Sequence, residues 1–314
     1  MMTRMRNLKL TVAYDGTNFA GWQVQPDKLT VQEVIEQAIF DVTGDRLRVL
    51  SAGRTDAGVH AIGQVVNFRT RTNIPPDRLR LALQAKLGPE VTIRDIKEVP
   101  LEFHATFSAV RKRYCYLIHN AYLSSPFLRR YSHWVRNDLD VDAMNEAAAH
   151  LVGKHDFRSF ETQWPNKATS VRTVLDCQLL RTSEWNWSSL PVASSLPPDQ
   201  APFVVLSIQA DGFLYNMVRT IMGTLLKVGI GKWTDKDVKR ILESQDRNIA
   251  GPTAPAHGLY LYQVDYDGAD DLANANVLRE GFTITRNHRV LLEQASPSDV
   301  DEGIDLAENE DHNG

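Results

Sequence analysis

Apolar and polar positions alternate at two periods along this chain, and the switches between them outline the elements. Leu8, Leu10 and Val12 alternate with Lys9 and Thr11, which predicts a strand over 8–14. Val31, Val34, Ile35, Ala38 and Ile39 then recur at helical spacing, which predicts a helix over 30–42 with Thr30 and Glu33 as a capping box. Strands follow near 47–52 and 63–69, a helix near 76–87 after Pro75-Pro76, and a strand near 91–99. That β-α-β-β-α-β order is the split ferredoxin-like unit.

The second half begins near residue 103 and reads similarly. Strands are expected near 105–120 and 130–136, a helix near 140–151, and strands at 172–181 and 203–210. Helices at 213–229 and 234–243 and a last strand at 259–266 complete it. The fold class expected is therefore α+β: two ferredoxin-like units with antiparallel sheets, joined around a central cleft. The expected domains are 1–104, 105–267 and an acidic extension, 268–314.

Two segments break the pattern. Residues 182–202 carry Trp185 and Trp187 and read as an elaborated hairpin loop between two strands. Residues 295–314 are acidic and nearly free of aromatics, which reads as disorder, and Phe282–Thr285 with Arg289–Leu292 suggests a small hairpin before them.

Composition narrows the class. With 43% hydrophobic and 24% charged residues the chain is that of a soluble globular protein, and no apolar run approaches a membrane span. The basic start has no apolar segment behind it, so no secretory signal is expected. Cys115 and Cys177 each fall in a strand-like run, where reduced core residues and a cytoplasmic setting are expected. The formal net charge of −4 is unevenly spread. Residues 268–314 hold eleven acids against three Arg, which leaves 32 of the 35 basic and 28 of the 39 acidic residues in 1–267. The body is mildly basic, with clusters at Arg69–Arg71, Arg78/Arg80, Arg111–Arg113 and Arg129–Arg130 that suggest a polyanion groove.

The richest stretch is Ser51-Ala52-Gly53-Arg54-Thr55-Asp56-Ala57-Gly58-Val59-His60-Ala61. A lone carboxylate lies between two glycines in a strand–loop–strand context, which turns the backbone tightly and presents Asp56. An arginine beside such an acid favours its ionised form, the form that covalent catalysis by aspartate uses. His60 is the nearby rival acid/base, read as a hydrogen bonder that fixes the loop. The nine histidines and two cysteines show no metal-ligand spacing. An aspartic hydrolase would need two carboxylates sharing a proton, and the loop holds one Asp.

The string Gly53–Ala61 resembles the signature of the TruA family of tRNA pseudouridine synthases, and other family-like blocks stand in order around it. They are Tyr14–Thr17, Gly21–Gln23, Thr30–Glu33, Phe103–Ala105, Arg111–Tyr116, His155–Phe157, Asn216–Gly223 and Gly258–Leu261. The resemblance implies a pseudouridine synthase fold with an RNA-binding cleft, isomerisation of uridine at positions 38, 39 and 40 in the anticodon stem-loop of tRNA, and a homodimer. No redox change or external group is involved, so no cofactor is required. It further implies that Asp56 is the nucleophile and that Arg219 forms a salt bridge to it. Tyr114 would stack on the target base, a contact worth about 1–3 kcal/mol, and take the proton from C5. Arg54 would act on the RNA and Leu259 would wall the base pocket. The rival reading is a tRNA-binding chaperone of the same fold without chemistry.

Overall fold

The computed structural model describes residues 4–162, 169–183 and 201–267. The loop around Trp185 and Trp187, the candidate hairpin at 282–292 and the acidic end at 295–314 lie outside the described residues. One unit runs as far as Tyr266.

Its elements are β1 (Arg6–Tyr14), α1 (Val31–Thr43), β2 (Leu50–Ser51), β3 (His60–Thr70), α2 (Pro76–Gln84) and β4 (Val91–Val99). After them come β5 (Ala109–Asn120), β6 (His133–Val135), α3 (Val141–Ala149), β7 (Gly153–Asp156) and β8 (Val171–Thr182). The last are β9 (Phe203–Ala210), α4 (Met217–Gly229), α5 (Asp235–Ser244) and β10 (Leu259–Tyr266). All ten strands belong to one mixed, mostly antiparallel sheet of order β4-β1-β3-β10-β5-β9-β8-β7, with β2 on β3 and β6 on β5. The two halves of the chain meet where β10 enters between β3 and β5. It pairs antiparallel with β5 along its length, but parallel with β3 through only Tyr260↔His60 and Leu261↔Ala61.

The sheet has one thick face and one thin one. All five helices contribute buried residues to a single large cluster that includes Leu8, Leu10 and Val12 of β1 and Tyr114, Tyr116 and Ile118 of β5. The intervening Cys115 and Leu117 face the other way, into a small cluster with Val205 and Tyr260 that no helix among the described residues joins. Helix α1 shows why its segment is helical: Val31, Ile35, Ala38 and Ile39 are buried on one stripe, each large aliphatic contributing about 1.5–3 kcal/mol. Both cysteines are buried and unpaired. No helix among the described residues is long and apolar enough to cross a membrane.

Several expectations need correction. The strand expected over 47–52 shrinks to Leu50–Ser51, and β5 begins at Ala109 because turns at Phe103 and Ser108, each donating backwards to Pro100 and His104 oxygens, occupy the segment before it. Helix α4 starts at Met217 rather than 213, leaving Phe213 in the turn ahead of it. The capping box of α1 is half a box: Thr30 accepts from the Glu33 N–H, but no return bond from the Glu33 side chain forms. The sequence pattern predicts no strand at β7, since Gly153-Lys154-His155-Asp156 has no apolar alternation.

Candidate active site

The loop between β2 and β3 is built from its backbone outward. Ala52 N–H donates to Val65 O at 2.8 Å, the Gln64 side chain donates to Gly53 O at 2.8 Å, and Val59 N–H closes a turn on Asp56 O at 3.1 Å. Gly58 sits at φ +76°, in the left-handed region, whereas Gly53 does not, so one of the two flanking glycines is needed for its backbone. A second segment clamps the loop from outside. Trp22 N–H donates to Thr55 O at 3.0 Å, and Tyr14 Oη lies 2.7 Å from Thr55 Oγ1. Gly21 makes this possible: it adopts φ +103°, and a Cβ there would stand 2.8 Å from Thr55 O.

With its neighbours fixed, Asp56 makes no ion pair with Arg54 among the described residues. Arg54 is exposed and makes no hydrogen bond or ion pair among the described residues. The partner of Asp56 is Arg219, whose Nη1 donates to Oδ2 at 3.1 Å across 163 residues of sequence. Arg219 lies in the first turn of α4, and its Nε donates to Ala254 O at 2.8 Å while Nη1 also donates to Asn216 Oδ1 at 2.8 Å. The segment carrying Ala254 is held directly on the helix. Ala254 N–H donates to Arg219 O at 3.0 Å, and a Cβ on Gly223 would stand 1.7 Å from Pro252 O, a contact only glycine permits.

Burial decides the electrostatics. It pushes the Asp56 carboxyl above its ordinary pKa, and the charge and hydrogen bond of Arg219 offset only part of that. The Asp56–Arg219 pair that the family likeness implies is present, whereas the expectation that Arg54 keeps the acid ionised is corrected: Arg54 makes no ion pair with Asp56, and burial leaves the net direction upward despite Arg219. Tyr114 on β5 is buried, its ring edge-on to Phe213 at 5.0 Å between centroids. Burial, then the nearby Tyr14 and Asp56, push its phenol up, so it holds its proton at neutral pH. Leu259 opens β10 directly opposite Tyr116, and so shares the Tyr114 face of the sheet.

His60 belongs to the scaffold. Its ring is buried and stacks on Tyr260 at 4.9 Å; Nδ1 accepts from Gly16 N–H at 3.0 Å, and Nε2 then carries the proton and faces Arg130 O at 3.0 Å. Burial holds its pKa below the usual histidine value, so it is neutral, and Asp15 Oδ1 at 3.2 Å only partly counters this. The sequence pattern does not predict the contact of Asn216 with Arg219, the Tyr14–Thr55 contact or the part played by the Ala254 carbonyl. The residue type at 254 could not have been a signal, because a backbone atom makes the contact. Among the described residues no group of three or more His, Cys, Asp or Glu could hold a metal ion.

Comparison with known proteins gives this geometry a family. The model of a family described as tRNA pseudouridine synthase matches residues 10–108 and 147–267, which include Asp56, Arg219 and Leu259 but not Tyr114. The chain is 44% identical over 262 residues to the tRNA pseudouridine synthase A of Acetivibrio thermocellus, covering 83% of this chain and all of that protein. It is likewise 44% identical to the tRNA pseudouridine synthase A of Brevibacillus brevis and 42% identical to that of Thermoanaerobacter pseudethanolicus, with the same coverage. The ion pair, the buried tyrosine and these matches lead to one conclusion: the chain belongs to the tRNA pseudouridine synthase family, a family of isomerases.

Proposed function

We propose that this enzyme isomerises uridine to pseudouridine at positions 38, 39 and 40 in the anticodon stem-loop of tRNA, with Asp56 as the nucleophile. The observation that carries this reading is the Asp56–Arg219 pair, one half-buried acid met by one arginine from the other half of the chain. The reaction breaks the N1–C1′ bond, turns the base and joins C5 to C1′; the C5 proton leaves and N1 gains one, so no cofactor enters. Asp56 forms one bond, to C1′ of the ribose or C6 of the base, and recovers its lone pair when that bond breaks. Its Oδ1 has no hydrogen-bond partner among the described residues, which leaves that oxygen available for attack.

The target base leaves the stack to reach this depth. Tyr114 then serves as the platform beneath it, with Leu259 along the apolar wall. The raised pKa of the phenol favours stacking over proton acceptance at neutral pH. Exposed and unpaired, Arg54 is suited to the RNA backbone or the space the base vacates. We read the body as two ferredoxin-like units, 1–104 and 105–267, flanking the cleft, in a cytoplasmic homodimer; the element order on either side of the β3–β10 pairing supports the division.

The alternative of a chaperone without chemistry is less favoured, because binding alone has no use for a half-buried carboxylate with an open oxygen. Unmodified tRNA transcripts carrying tritium at uridine C5 test the reading. Tritium release with a pseudouridine in the anticodon-arm fragment by mass spectrometry is expected from the intact protein. Binding without release would support the chaperone.

A further inference from the structure

Asn216 occupies the N-cap of α4, where an asparagine ordinarily accepts a hydrogen bond from a first-turn N–H. Here its side chain makes no cap bond, and its backbone stands at φ 60°, ψ 5°, in the left-handed region. Both ends of the amide are instead engaged sideways. Oδ1 accepts from Arg219 Nη1 at 2.8 Å, and Nδ2 donates to Thr162 Oγ1 at 3.0 Å. The orientation of the amide follows, since an arginine can only donate. Thr162 is itself tied back, its N–H donating to Tyr215 O at 3.2 Å.

The nitrogen Asn216 holds is the one that meets Asp56. A guanidinium is a rigid plane, so fixing two of its nitrogens fixes its orientation. Ala254 O holds Nε and Asn216 Oδ1 holds Nη1; Asp56 meets a group whose direction is already set. A forgone cap and a left-handed backbone at a residue bearing a Cβ are both local costs, and such costs collect where a site needs them. We propose that Asn216, braced on Thr162, is a positioning residue that aims Arg219 Nη1 at Asp56. This rests on the reading of Asp56 as the nucleophile.

The test is single-turnover conversion of an unmodified tRNA transcript by the full chain, from about pH 5 to 9, with tRNA affinity and thermal melting followed in parallel. Asn216→Gly keeps the left-handed backbone freely and removes both side-chain bonds. It is expected to slow turnover about ten- to a hundredfold while Kd for tRNA stays within about threefold. Asn216→Asp keeps the size and the acceptor but sets a second carboxylate on the same nitrogen, and is expected to move the acid limb of the rate profile up by about one pH unit. A side chain that did not meet Arg219 beside Asp56 would leave that limb in place, and the Asp variant reports that contact if the Gly variant melts early. A Gly variant that turns over within about twofold of the parent at every pH, or an Asp variant with an unmoved acid limb, overturns the proposal. Asp56→Asn separates the two readings. Turnover by that variant overturns the nucleophile assignment itself; its inactivity beside an unaffected Asn216→Gly overturns only the positioning role.

Discussion

Two loops, 15–17 and 53–59, pack against each other so closely that a Cβ on Gly16 would meet Val59 O at 2.1 Å, yet their aspartates behave oppositely. Asp15 is surrounded by donors: Oδ1 accepts from Thr17 N–H at 2.9 Å and Thr17 Oγ1 at 2.5 Å, and Oδ2 accepts from Tyr131 Oη at 2.9 Å. Burial pushes its pKa up, but those bonds and His60 outweigh it, and the net direction is down. Asp56 has one donor, and for it burial wins. An acid whose lone pairs are filled by protein donors stabilises the fold; one left with an open oxygen in a half-buried place is available to react.

The sharpest way to break this comparison is Asp56→Asn. Turnover should fall by at least about a thousandfold, because the proposed attacking oxygen is gone, while the melting temperature holds, since the carboxylate's partial burial was costly to the fold. A large loss of stability would put Asp56 in the same class as Asp15. Next in size, Arg219→Gln removes the charge that offsets burial. Single-turnover rates at neutral pH should drop about ten- to a hundredfold, and the acid limb, already above the ordinary carboxylate pKa of about 4, should move higher by about one unit or more.

The mirror experiment is Asp15→Asn. Its native pKa lies below the unfolded value, so its stabilisation is full above about pH 4 and is lost as pH falls through the native pKa. The variant should lose about 1–3 kcal/mol at neutral pH in denaturant titrations, with the gap closing in acid. Turnover of the folded variant should stay within a few-fold; its loss with the fold intact would end the distinction. Tyr131→Phe takes away a single Asp15 donor and should cost about 1 kcal/mol. Smallest of all, Arg54→Ala should shift stability by less than about 0.5 kcal/mol, with any effect confined to tRNA affinity and its salt dependence.

Much of the scaffold was legible because periodicity reports burial. The residues of β4 and β10 follow from alternation, and the stripe of α1 is the stripe that packs. What failed had no side-chain periodicity to show: β7 is short and polar, and the turns ahead of β5 and α4 are fixed by backbone hydrogen bonds. At the site, Asp56 stood out as a lone acid in a glycine-flanked loop, and its pairing with Arg219 entered through the family likeness. The direction of its pKa could not be read, because desolvation depends on residues far away in sequence. Asn216 stands in the Asn216–Gly223 block, inside the helix expected over 213–229, and its hold on Arg219 could not be read there, because it depends on α4 starting only at Met217.

The narrow pairing of β3 with β10 also sets a schedule. Asp56 and its loop leave the ribosome about two hundred residues before the strand that joins their half of the sheet to the other, a wait of about 10–40 seconds at ordinary synthesis rates. Until Leu259–Tyr266 slides between β3 and β5, the first four strands carry an open edge and an acid without its arginine. On the proposed reading, competence to act on tRNA therefore arrives at once and late, with β10, and a chain that has not yet made β10 lacks the joined halves that bring Arg219 to Asp56.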